Sequence, residues 1–203
     1  MEILVVIFFS YFCGSIPFGL ILTKIFTNQD VRKIGSGNIG ATNVLRTGNK
    51  TLAASTLILD ASKGYIPVLI SIKFFPEYII LSALITFLGH VFSIWLKFKG
   101  GKGVATYLGI LFALSLELSI LFIFTWAVVF LIFKYSSVSS IFSSLTVLVI
   151  TLFRENLVKA IDPSFIYTSN MKLILFIFFI LILFTHRENI LNLKNKKESK
   201  IKL

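Results

Sequence analysis

A chain of 203 residues that is 56% hydrophobic and only 14% charged, with a mean hydropathy of +0.91, carries more Phe, Leu and Ile than a soluble core of that size can bury, so an ordinary water-soluble domain is excluded. The net charge of +11 does not point to nucleic acid, because the basic residues lie in short segments between apolar runs, a pattern that orients helices in a bilayer and suits anionic small substrates and membrane lipids. A single cysteine, Cys13, excludes a disulfide framework or a cysteine-based zinc site within one chain, and no metal or cofactor is expected.

Apolar runs of helical length predict an all-α membrane protein with seven transmembrane helices, near 3–23, 51–72, 78–96, 104–117, 118–133, 138–153 and 171–185. Only helices satisfy their own backbone in lipid. They are expected to form one domain over residues 1–203, with a basic tail at 191–203. Met1 and Glu2 lead straight into the first run without a basic stretch or a small-residue cleavage site, so that run is read as a retained span. The last four runs fall short of the roughly 20 residues a span needs, and must extend into polar flanks or cross a thinned bilayer. With seven spans and the N-terminus outside, 15 Lys and Arg residues fall inside and 4 outside. Merging the fourth and fifth runs destroys this asymmetry, so the C-terminus is expected in the cytoplasm.

Under that topology the polar clusters collect at the cytoplasmic face. The first is GSGNIGATNVLR, with Gly35, Ser36, Gly37, Asn38, Gly40, Thr42, Asn43 and Arg46. Glycines allow turns that aim successive N–H groups at an anion, and arginine clamps phosphate through two donors. The string also fits GxGxxG, but a dinucleotide fingerprint needs a βαβ unit, and this one sits between membrane spans. Within the second run, DASKG puts Asp60 and Lys63 on one helix face. An ion pair that holds the helix near the site is expected there. The next cluster, FKGGKGVAT, is no P-loop, because Gly103 follows Lys102 where Ser or Thr is required. It reads as a second nest of Gly100, Gly101 and Gly103 around Lys102, with Lys97 and Lys99 facing anionic lipid. Further along come the serines from Ser136 to Ser140, and HRENI, where His186 and Asn189 lie one helical turn apart. His90 is read as a hydrogen-bonded structural residue, and Arg154 and Glu155 as a solvated loop on the opposite face.

These motifs, in this order, resemble the bacterial glycerol-3-phosphate acyltransferases that use acyl-phosphate as donor. The resemblance runs through GSIPFG from Gly14, GSGNIGATNVLRTGNK from Gly35, DASKG from Asp60, GHVFSIWLKFKGGKGVAT from Gly89, KYSSVSSI from Lys134 and HRENI from His186. It implies a seven-span fold in the bacterial inner membrane. It also implies a pocket lined by Ser36, Arg46, Lys102, His186, Asn189 and a serine of the 137–140 segment, taken as Ser140, with glycerol 3-phosphate and acyl-phosphate as substrates. In such enzymes the donor's own phosphate is thought to take the hydroxyl proton. Ile39 and Ser93 stand where that family usually has proline, and the segment after HRENI lacks its usual Arg and Gly. Neither His90 nor His186 has Asp five residues on, so the HxxxxD arrangement of thioester-dependent acyltransferases is absent. A transporter for a phosphorylated solute would place its ligands near the midplane with access from both sides, and a purely structural subunit would leave the two nests without purpose.

Overall fold

The structure, a computed structural model, describes residues 1–161 and 169–201, whose regular elements are helices with no strand among them. The helices are α1 (Glu2–Ser15), α2 (Phe18–Thr27), α3 (Ala41–Val44), α4 (Lys50–Phe74), α5 (Ile79–Val91), α6 (Val104–Leu114), α7 (Leu116–Phe133), α8 (Ser136–Ile161), α9 (Ser169–Thr185) and α10 (Arg187–Lys194). Each of the seven apolar runs is therefore helical, though not always as one rod. Among the described residues four stretches are long and apolar enough to cross a membrane, namely Glu2–Thr27, Pro76–Leu96, Leu116–Phe133 and Ser136–Arg154, with a fifth if the bent pair of Met171–Thr185 and Arg187–Lys194 is counted as one span. Lys202 and Leu203, at the end of the expected tail, lie outside the described residues.

Two compact units divide the chain, Met1–Ser115 and Leu116–Leu203. The boundary is an extended residue, Ser115, which separates the fourth and fifth apolar runs. In the first unit α4 packs against α1, α2, α5 and α6, and α1 lies along α5. Lipid tails are as apolar as the side chains, so close helix contact in a membrane depends on small residues and polar pairs rather than on expelling water. The α4–α6 crossing shows this reciprocally: a Cβ on Gly64 would collide with the Thr106 carbonyl, and one on Gly109 with the Ala61 carbonyl. Across α1 and α5 the Ser10 and Ser82 hydroxyls are 2.9 Å apart. Outward faces carry exposed Phe8, Phe12, Ile58 and Ile66, as a lipid-facing surface requires.

The first run departs from a continuous helix. Pro17 has no N–H and its ring crowds the preceding turn, while the residue before a proline is driven out of the α region. Ile16 is accordingly extended, at φ −61° and ψ 120°, and the chain is interrupted between α1 and α2. In the second unit α8 packs on α7 and α9, and α10 on α9. Because α8 runs on to Ile161, Arg154 lies on a helix rather than in the expected loop, and its guanidinium is ion-paired with Glu117 at the start of α7.

Candidate functional site

The loop between α2 and α4 is organised by one amide. Asn43 is 2% exposed. Its Nδ2 donates to the carbonyls of Val31 (2.9 Å), Ile34 (3.0 Å) and Asn38 (2.7 Å), and its Oδ1 accepts from the Ser36 N–H at 3.0 Å. Asn38 Oδ1 accepts from the Gly40 N–H, a local turn that short amide side chains favour, and the Gly37 N–H bonds the Ile34 carbonyl. The N–H groups of Ser36, Gly37 and Gly40 thus point back into the loop, not outward as the anion-nest expectation had it. What the loop presents is side chains: exposed Ser36, and Arg46, which crosses Gly35 so closely that a Cβ there would stand 2.6 Å from Arg46 Cδ. Gly35 also has φ +55°, so the position suits glycine twice over. Thr42 is half-buried on α3. Arg32 is spent on Asp30, which it meets through Nε at 2.9 Å and Nη2 at 2.6 Å. That pairing holds the Asp30 carboxyl down at about 2.

The second loop is fastened from below. The Gly100 and Gly101 N–H groups donate to the carbonyls of Val91 and His90, at 2.9 and 3.1 Å, and so satisfy the last carbonyls of α5 instead of forming a nest. Gly103 caps α6 at φ +83°. Lys102 is half-buried beside that cap, near the positive end of the helix, while Lys97 and Lys99 are exposed.

Both loops rest on the interruption between α1 and α2. The Ile39 carbonyl abuts Gly19 just after it, and Ile39 is buried with Leu20, Val44 and Leu52. Just before it, the Ser15 carbonyl accepts from Ser93 Oγ at 2.6 Å, and Ser15 Oγ from Trp95 Nε1 at 3.0 Å. Ser93, standing where the resembling family has proline, therefore ties the second loop to the break through its hydroxyl.

In the second unit His186 is 2% exposed and its Nδ1 donates to the Ile182 carbonyl at 2.8 Å. A carbonyl can only accept, so in the neutral ring Nε2 is the unprotonated nitrogen. Ser140 is buried, donating to the Ser136 carbonyl at 2.8 Å and accepting from Trp126 Nε1 at 3.2 Å. Asn189 Nδ2 donates to Glu198 at 2.6 Å, and Ser137 Oγ donates to the same carboxylate oxygen at 3.1 Å. The Ile201 N–H then bonds the Lys134 carbonyl, so the tail folds onto the start of α8. Sequence reasoning passed over Glu198. Its only signal was a lone acid within a lysine run.

The outward apolar faces, together with two basic, glycine-rich loops seated on a broken helix, define an integral membrane protein. The chain matches the family model for glycerol-3-phosphate acyltransferase over residues 4–196 and belongs to that family. Relatives described as glycerol-3-phosphate acyltransferases include one from Pelagibacter ubique (strain HTCC1062), 56% identical with the whole of both chains covered. Another, from Wolbachia pipientis wMel, is 47% identical over 98% of each. Among solved structures, the glycerol 3-phosphate form of PlsY (YgiH), an integral membrane glycerol 3-phosphate acyltransferase, superposes with a TM-score of 0.87 at 33% identity, covering 100% of this chain and 96% of that one. The lysophosphatidic acid form of PlsY gives 0.85 at 32% identity with the same coverage.

Proposed function

We propose that the protein transfers an acyl group from acyl-phosphate to the 1-hydroxyl of glycerol 3-phosphate, releasing 1-acylglycerol 3-phosphate and inorganic phosphate, as the first step of membrane phospholipid synthesis. The observation that carries this, beyond family membership, is the pair of cationic side chains, Arg46 and Lys102, on two loops fastened to one helix interruption. An acyl-phosphate is a mixed anhydride whose leaving group is already good, so the enzyme's task is chiefly to orient two phosphorylated substrates and to balance charge. The glycerol oxygen bonds to the acyl carbon, the acyl–phosphate C–O bond breaks, and the hydroxyl proton goes to the departing phosphate. Ser36, Arg46 and Lys102 are assigned to phosphate, with Asn43 holding the first loop. In the second unit His186 and Asn189 are assigned to substrate contact and Ser140 to its support.

The donor is tested with detergent-purified protein given glycerol 3-phosphate and either acyl-phosphate or acyl-CoA, with phosphate release and lysophosphatidate followed together. Stoichiometric phosphate with acyl-phosphate and no turnover with the thioester is the expected result. Efficient thioester turnover without acyl-phosphate activity overturns it.

The same reading places the loops on the cytoplasmic side of a bacterial inner membrane, because that orientation gathers the basic residues inside. A reporter fused after Leu203 should be active in the cytoplasm. Activity confined to the periplasm defeats the orientation.

A further inference from the structure

Three ionisable side chains lie deep in the first unit, away from the loops' exposed groups. Asp60 and Lys63, one turn apart on α4, are 1% and 4% exposed, with Nζ 2.8 Å from Oδ1. Such a pair is seldom more stabilising than well-packed apolar residues of the same volume, so where its other contacts go shows what it is for. Lys63 Nζ also donates to the Ile16 carbonyl and stands 5.6 Å from the centroid of the Phe18 ring. These residues flank Pro17, so the ammonium grips the interruption between α1 and α2 from both sides. Toward α5, Asp60 Oδ1 faces His90 Nδ1 at 4.0 Å, and His90 Nδ1 has no hydrogen-bond partner among the described residues. The His90 ring lies against Gly101, where a Cβ would collide with its Nε2, and the His90 carbonyl accepts the Gly101 N–H.

The contacts therefore run from the Pro17 interruption through Lys63 to Asp60, whose carboxylate faces His90 across 4.0 Å without a hydrogen bond, and from the His90 ring to the residue next to Lys102. At the interruption, Gly19 carries the Ile39 carbonyl and Ser15 carries Ser93 and Trp95. We propose that Lys63, Asp60 and His90 are positioning residues that set the two glycine-rich loops, and with them Arg46 and Lys102, at the separation one phosphorylated substrate requires. The inference rests on the phosphate-binding reading above. None of the three is assigned to substrate contact. A pair serving only to hold α4 in the bundle would need neither the carbonyl at the break nor the imidazole beneath Gly101.

The test replaces both charges at once, Asp60→Asn with Lys63→Met, which keeps side-chain length and leaves no unpaired buried charge. Purified protein of unchanged size-exclusion profile should show KM for glycerol 3-phosphate raised about ten- to a hundredfold, as small misplacements of binding groups do, with kcat at saturation altered much less. His90→Ala, which removes the imidazole from beneath Gly101, should share the rise. A folded double variant with wild-type KM overturns the proposal, as does a folded His90→Ala with wild-type KM. Should the double variant fail to fold, His90→Ala decides. Arg46→Ala and Lys102→Ala are measured alongside: if they lose efficiency while the Asp60, Lys63 and His90 variants do not, only the positioning network fails. If they keep it, the phosphate-binding reading fails.

Discussion

Replacing Arg46 or Lys102 with alanine is expected to lower catalytic efficiency by roughly ten- to a few hundredfold, the equivalent of one charge-assisted hydrogen bond of about 1.5–3 kcal/mol lost from the transition state. Arg46→Lys should also be harmful, because a point charge cannot reproduce a planar two-donor clamp. Asn192→Ala, an exposed residue of α10, is the control and should change little. Acyl transfer is measured with glycerol 3-phosphate and acyl-phosphate titrated separately, at matched membrane insertion. If both alanine variants keep wild-type efficiency for both substrates, these cations merely orient the protein in the bilayer.

Asn43→Asp should be at least as damaging, although the two side chains are nearly isosteric. The retained Oδ1 can still accept from Ser36, but the second oxygen faces the carbonyls of Val31, Ile34 and Asn38, acceptors that now meet an acceptor. The Val31 and Ile34 carbonyls keep the Ile34 and Gly37 N–H groups, but the Asn38 carbonyl loses its amide donor, and a polar group left unpaired costs about 1–3 kcal/mol, to which the repulsion between acceptors is added. Acyl transfer should fall by about a hundredfold or more, with Asn43→Ala less severe because it adds no repulsion. Detergent-purified protein with wild-type kinetics in Asn43→Asp would show that the loop is held by something other than this amide.

The two substitutions differ in how far their reasons could be read in advance. Arg46 and Lys102 stand out in the sequence because a cation among glycines is a chemical statement that survives without coordinates. Asn43 stood out equally, but as one of several polar residues offered to the ligand. Only the fold shows its amide turned inward to hold the loop. The N–H groups of Ser36, Gly37, Gly40, Gly100 and Gly101 follow the same pattern. Glycine composition announces that the backbone can turn, and the tertiary structure decides which way its donors face.

Hydropathy and charge alone determined that the chain is helical, that seven apolar runs form helices, and that the unusual polar residues cluster between them, because composition and periodicity are local properties that burial in lipid enforces along each run. The apolar pattern predicts one continuous span over 3–23, and the break at Pro17, although its cause is local, emerges only in the structure. Only tertiary structure could show what that interruption is used for: the Ile16 carbonyl receives Lys63, Ser15 receives Ser93 and Trp95, and Gly19 receives Ile39. Glu198 bridging Asn189 and Ser137 belongs to the same category. A buried polar side chain must find a partner, but sequence spacing does not name it when the partner lies tens of residues away and packing alone brings the two together.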